Sequence, residues 1–81
     1  NPASTELTLE FTSHDAEEYT LNLINALGVR PDPMIFGEQK FTSVSGLNTR
    51  VLDVSRLPSG IYFIQLRNGR ELAARKIIIV R

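Results

Sequence analysis

Leu57-Pro58-Ser59-Gly60-Ile61-Tyr62-Phe63-Ile64-Gln65-Leu66-Arg67-Asn68-Gly69-Arg70 is the stretch on which the fold turns. Pro58 presets φ for the second position of a type I turn, and Ser59 and Gly60 suit the third and fourth. Ile61 to Arg67 is then a β-branched and aromatic strand. Asn68-Gly69 is the strongest two-residue hairpin signal, because a type I′ turn needs positive φ at both positions. Arg70 to Val80 is expected to return antiparallel. A tight Asn68-Gly69 turn pairs Arg67 with Arg70, Ile64 with Ala73 and Tyr62 with Arg75, and like charges opposed at the first pair are unfavourable. Ile77 and Ile79 share one face of the returning strand; Ile78 and Val80 share the other. A strand apolar on both faces is usually central in a sandwich or covered by a partner.

Working toward the N-terminus, the rest also reads as β. Glu6 to Thr12 alternates with period two, with Leu7, Leu9 and Phe11 facing in. Ser13-His14-Asp15 supplies turn chemistry. Glu17 to Leu27 places Leu21, Ile24 and Leu27 at helical spacing but also alternates as Tyr19, Leu21, Leu23. Since the rest of the chain reads as β, Tyr19 to Asn25 is expected as the second strand, closed by Gly28, which tolerates the positive φ of a tight connection. Pro31 and Pro33 confine the next segment to an edge, a bulge or a loop. Met34-Ile35-Phe36 and Lys40-Phe41-Thr42 are short apolar stretches around Gly37, and Ser43 to Gly46 is a loop. Asn48 to Val54 alternates again, with Leu52 facing in and Val51 out.

The 81 residues carry nine Lys+Arg, nine Asp+Glu and no cysteine. This length supports one domain, with no disulfide and no cysteine-based metal site. The longest apolar run, Ile77 to Val80, is far short of the ~20 residues of a membrane helix. Asn1-Pro2-Ala3-Ser4 has neither the basic nor the apolar region of a signal peptide, and the absence of an initiator Met fits a piece of something longer. The balanced charge argues against a generic nucleic-acid partner, but it hides a pattern. Asn1 to Val29 holds five acids and no Lys or Arg, whereas Val54 to Arg81 holds six bases and one acid, Glu71. Complementary strand pairing is one reading; a basic C-terminal face offered to an anionic partner is the other.

Catalytic and metal-binding constellations are missing. His14, the single histidine, sits in a turn between Ser13 and Asp15, whereas a triad is assembled from distant parts of a chain. Asp15, Glu17 and Glu18 lack the glycine and the spacing of a calcium loop, so no metal and no cofactor is expected. Glu17 and Glu18 are adjacent and point to opposite faces of a strand, a poor glycosidase pair. Tyr62 and Phe63 also alternate faces, so with Arg67 and Arg70 they make no stacking platform for nucleic acid.

In order along the chain, the motifs are Asn1-Pro2-Ala3-Ser4 before the amphipathic strand at Leu7, then Ile24-Asn25-Ala26-Leu27-Gly28. Leu57-Pro58-Ser59-Gly60-Ile61-Tyr62-Phe63 is the third, and Lys76-Ile77-Ile78-Ile79-Val80-Arg81 comes last. Together they resemble the C-terminal sorting domain of type IX secretion cargo, the Por secretion system of Gram-negative bacteria. The likeness covers nearly all the chain. Its most specific piece is the Leu-Pro-x-Gly-x-Tyr signature at Leu57–Tyr62. Pro31, Asp32 and Pro33 depart from it, since the family usually continues there as a strand.

The resemblance implies an immunoglobulin-like antiparallel β-sandwich of about seven strands, acting as a non-catalytic C-terminal signal. It implies an N-terminal passenger, type IX translocon and shuttle proteins, and a sortase-like peptidase that cuts the domain off. It also implies transit through the periplasm to the outer membrane, the cell surface or the medium. The expected recognition element is the final hairpin, read by strand addition or by its edge. Pro58 and Gly60 hold the start of that hairpin, and Tyr62 packs with its hydroxyl at a rim. Ile77, Ile78, Ile79 and Val80 form the apolar strand, with Lys76 and Arg81 as flanking gatekeepers. Gly28, Asn68 and Gly69 are expected as structural turns. An unprotected edge would also let two copies pair. A generic immunoglobulin-like adhesion or carbohydrate-binding module is the alternative; it requires exposed aromatics grouped on one face or in loops.

Overall fold

The computed structural model describes residues 5–81 together with the backbone of Pro2 and Ala3. Its strands are β1 (Pro2–Ala3), β2 (Glu6–Ser13), β3 (Glu18–Asn25), β4 (Gln39–Thr42), β5 (Gly46–Asp53), β6 (Gly60–Arg67) and β7 (Leu72–Ile79). There is no helix among the described residues. One sheet has the order β1-β7-β6-β3-β4, and β2 and β5 form a second sheet. β2 to β7 are antiparallel to their neighbours; only the two-residue β1 runs parallel, on β7.

The two sheets share one core because alternation gives each strand an apolar face. Leu9 and Leu52 enter from the small sheet. Leu21, Leu23, Tyr62, Ile64, Leu66, Ile77 and Ile79 enter from the large one. Leu7 and Phe11 complete the inner row of β2 at the margin of that core, as the alternation requires. Val51, 59% exposed, turns away beside the wholly buried Leu52. Phe11, Tyr19 and Phe41 form an aromatic cluster, with Phe11 and Tyr19 edge to face at 5.1 Å. Arg50 closes that side with its guanidinium 4.0 Å over the Phe41 ring, a cation–π contact.

The turns follow local chemistry. Gly28 has φ +81°, and its amide donates to the Asn25 carbonyl at 2.9 Å. Asn25 Oδ1 accepts the amides of Leu27 and Val29 at 2.9 and 3.0 Å, so this residue organises the whole bend. After it, residues 29–38 form a loop, as Pro31 and Pro33 require. Asp32 Oδ1 accepts the Met34 amide at 2.8 Å, and the Asp32 carbonyl accepts those of Ile35 and Phe36. That turn drops Phe36 into the core.

Three expectations need correction. The last hairpin is not a two-residue Asn68-Gly69 turn: Arg67 faces Leu72, Ile64 faces Arg75 and Tyr62 faces Ile77. Asn68 Oδ1 accepts the amides of Arg70 and Glu71 at 2.8 and 2.7 Å, an Asx turn, and Gly69 is not among the residues with positive φ. This longer loop separates Arg67 from Arg70 and sets Ile77 and Ile79 opposite Tyr62 and Gly60. Second, the turn at Pro58 is displaced. Leu57 N–H donates to the Val54 carbonyl at 3.1 Å, three residues ahead of the expected turn. Leu57, 1% exposed, anchors that bend, and Asp53 Oδ1 starts it by accepting the Ser55 amide at 3.0 Å. Third, β7 is not central. β6 lines one side of it throughout, while the other side carries only β1, at Ile78 and Ile79.

Candidate functional site

The recognition candidates converge on one end of the large sheet, where the bend at residues 54–60 meets the start of β6 and the end of β7. Tyr62 is buried against Ile77 and donates its hydroxyl to the Pro58 carbonyl at 2.7 Å. A phenol with an apolar body and a satisfied rim hydroxyl fixes the bend to the strand after it. Gly60 opens β6 with φ +157°. A side chain there would meet the Tyr62 ring only at ordinary contact distance, 3.7 Å, so backbone conformation rather than space favours glycine. Pro58 itself is exposed.

The terminal strand divides by face. Ile77 and Ile79 are 6% and 2% exposed and belong to the core. Lys76, Ile78 and Val80 are exposed. Arg81 differs from its expected role as a free flanking charge, because it folds back on the bend. Its Nε donates to the Leu57 carbonyl at 2.9 Å, Nη2 donates to the Val54 carbonyl, and its amide donates to Ser59 Oγ at 3.0 Å. A planar guanidinium with several donors suits such a double contact with turn carbonyls. Of the nine candidates, Tyr62, Ile77, Ile79 and Arg81 are engaged in folding, and Lys76, Ile78 and Val80 are displayed.

The displayed residues have neighbours that sequence reasoning did not single out. Phe63 lies between Ile24 and Lys76 in the cross-strand ladder, and Ile61 faces Ile78. Ile61 and Ile78 are each 42% exposed, and Ile24 and Phe63 are half-buried. The outer face of β3, β6 and β7 thus carries an apolar strip beside one ammonium group. The signal was available in the sequence, since Ile61 and Phe63 alternate with the inward Tyr62 and Ile64.

A polar cluster occupies the opposite end. Arg70 Nη2 donates to Glu17 Oε1 at 3.0 Å, and Asn68 Nδ2 donates to Glu17 Oε2 at 3.3 Å. Hydrogen bonding from Arg70 holds the Glu17 carboxyl below the usual glutamate range. Ser13 Oγ and Ser43 Oγ lie 2.8 and 2.9 Å from the Asp15 carbonyl. Among the described residues, Glu17–Arg70 is the one ion pair joining the acidic first third to the basic last third. Complementary pairing therefore accounts for little of the charge segregation. His14 is exposed, and its carbonyl accepts from Ser45 Oγ at 2.9 Å.

A family model described as the secretion system C-terminal sorting domain (the Por secretion tail) matches residues 1–80. The chain belongs to this family. It is accordingly a non-catalytic secretion signal that targets a passenger through the type IX machinery to the outer membrane, the cell surface or the medium. No curated protein and no solved structure matches the chain.

Proposed function

We propose that the secretion machinery reads this sorting domain through the outer strip of its final hairpin: Lys76, Ile78 and Val80, flanked by Ile61 and Phe63. The observation that carries the reading is the division of β7 by face. Ile77 and Ile79 fill the core from its inner face, yet Ile78 and Val80 on its outer face are also apolar, which folding alone does not require. Lys76 beside the strip adds a charge that discourages indiscriminate pairing. Turn residues Pro58 and Gly60, with Tyr62 and Arg81, hold the hairpin in place rather than meeting a receptor.

Around this core reading stand finer elements. The domain is a single unit, residues 1–81, at the C-terminus of a larger passenger, and its architecture is immunoglobulin-like. The Tyr62 hydroxyl bonded to a carbonyl four residues upstream supports that architecture, because a tyrosine corner marks many such sandwiches. The passenger crosses the periplasm, shuttle proteins and the translocon receive the domain, and a sortase-like peptidase removes it. Strand-edge dimers would use the side of β7 that β6 leaves open. An adhesion or carbohydrate-binding module has little to stand on, since all six aromatics are buried or half-buried.

Deleting Lys76–Arg81 would test the hairpin poorly, because it strips Ile77 and Ile79 from the core. The better variant is Lys76→Glu/Ile78→Asn/Val80→Asn in a full-length cargo. We expect an unchanged melting temperature within a few degrees and cargo retained in the periplasm. Normal surface delivery of a folded triple variant would refute the outer-strip reading.

A further inference from the structure

β7 has an open edge, and the fold aims a piece of chain along it. β6 pairs with β7 from Leu72 to Ile79, whereas the opposite side carries only Pro2 and Ala3, against Ile78 and Ile79. Among the described residues, Leu72–Lys76 have no strand beside them on that side. Facing this edge is β2, whose one ladder is with β5. Between the two strands lies a groove of about 300 Å³ bordered by Leu7, Leu9, Ile64, Arg75 and Ile77. A second recess of about 90 Å³ continues it toward Phe11 and Ala73. Consecutive residues of both strands line the groove, so both strands meet it edge-on. Two open edges flanking a slot, floored by Leu9 and Ile64 with Arg75 and Lys76 at its rim, form the geometry that accepts an added strand.

The register names the occupant. Pro2 faces Ile78 and Ala3 faces Ile79 in a parallel pair, so chain arriving at Pro2 travels along β7 from Leu72 toward Ile78. We propose that, in a cargo protein, the linker residues just ahead of Asn1 extend β1 along Leu72–Lys76 and fill the groove between β7 and β2. The inference rests on the sorting-domain reading, in which a passenger precedes the chain. The same register sets the five residues ahead of Asn1 against Lys76 back to Leu72. Residues facing each other across a ladder share a sheet face. The second and fourth residues ahead of Asn1, opposite Arg75 and Ala73, therefore point inward toward Leu9, Ile64 and Leu66, and take apolar side chains. The first, third and fifth point outward and take polar ones. Covalent connection favours this segment over a second copy, because its docking is intramolecular. A cut within these residues bares the β7 edge, so release of the passenger also changes what the domain exposes.

The test is amide hydrogen exchange on a full-length cargo carrying this chain, compared with a variant whose five linker residues are replaced by Gly and Ser. With the native linker, edge amides of Leu72–Lys76 exchange at least about tenfold more slowly than in the variant, while β6 amides are unchanged. Equally fast exchange in both proteins overturns the proposal. So does protection that persists in the variant and rises with protein concentration, which assigns the edge to a second copy. A second arm needs no loss of structure: Ala74→Cys with cysteine at the third residue ahead of Asn1 forms a disulfide under mild oxidation, and cysteine at the seventh does not. Equal cross-linking at both places overturns the register. Export is scored on the same proteins. Cargo that reaches the surface without edge protection refutes this inference and leaves the sorting reading standing; cargo retained with its native linker refutes the sorting reading itself.

Discussion

Ile78 and Ile79 are the same residue type at neighbouring positions, and the fold assigns them opposite fates. Ile79 is 2% exposed opposite Gly60, whereas Ile78 is 42% exposed opposite Ile61. Ile79→Ala removes three carbon atoms from a closed site and leaves a cavity, at a cost of about 2–5 kcal/mol. Ile78→Ala removes the same atoms from a half-wet surface and costs about 1 kcal/mol or less. At ~0.05–0.15 kcal/mol per residue, a domain of this size has ~4–12 kcal/mol in all, so the first change consumes a large fraction of it. The assay is urea unfolding of the two variants followed by circular dichroism, with thermal melts alongside. Ile79→Ala should lower the melting temperature by at least ~10 °C, and Ile78→Ala by only a few degrees. Equal destabilisation by the two substitutions would refute the assignment of faces on β7, and with it the outer strip.

The turns and the polar cluster give three other expected outcomes. Gly69→Ala should be nearly neutral, since Gly69 has no positive φ and nothing within 4 Å of an added Cβ; Gly28→Ala, at φ +81°, should cost about 1 kcal/mol in the same unfolding assay. Arg81→Ala should speed hydrogen exchange at Leu57, whose amide closes the bend onto which Arg81 folds. Glu17 has a folded pKa below the ordinary 4.5, so its contribution is present above that value and is lost as pH falls through the folded one. Melts from about pH 7 down to about pH 3 should therefore show wild type losing stability relative to Glu17→Gln, which carries no titrating group there.

β2 and β5 were legible in the sequence because each alternates with period two, and β6 because a β-branched and aromatic run lies between turn residues. β3 alternates too, but Leu21, Ile24 and Leu27 also fall at helical spacing, so the β character of the rest of the chain decided it. Pro31 and Pro33 likewise announced a loop, since neither can serve an inner ladder. The hairpin register was not legible. Asn68-Gly69 carries the strongest local preference for a two-residue turn, but the Asn68 side chain satisfies two amides of a longer loop. That loop also keeps two arginines from facing each other. The apolar character of both faces of β7 was plain, yet its place next to the sheet edge was not, because strand order is set by packing across the whole chain. Arg81 reads as a free terminal base, and nothing local reveals that carbonyls at Val54 and Leu57 come within its reach. Of the candidate site, the composition could be read directly, but the division into residues that hold the hairpin and residues that are displayed needed the fold.

That this chain is an export address in its own right is tested most directly by a fusion. An inert periplasmic reporter carrying residues 1–81 at its C-terminus is expressed in a strain with a working type IX system and in one lacking the translocon, and the cell fractions and medium are assayed. Reporter is expected at the surface or in the medium of the first strain and in the periplasm of the second. Reporter confined to the periplasm of both strains, with the domain folded, would contradict the assignment.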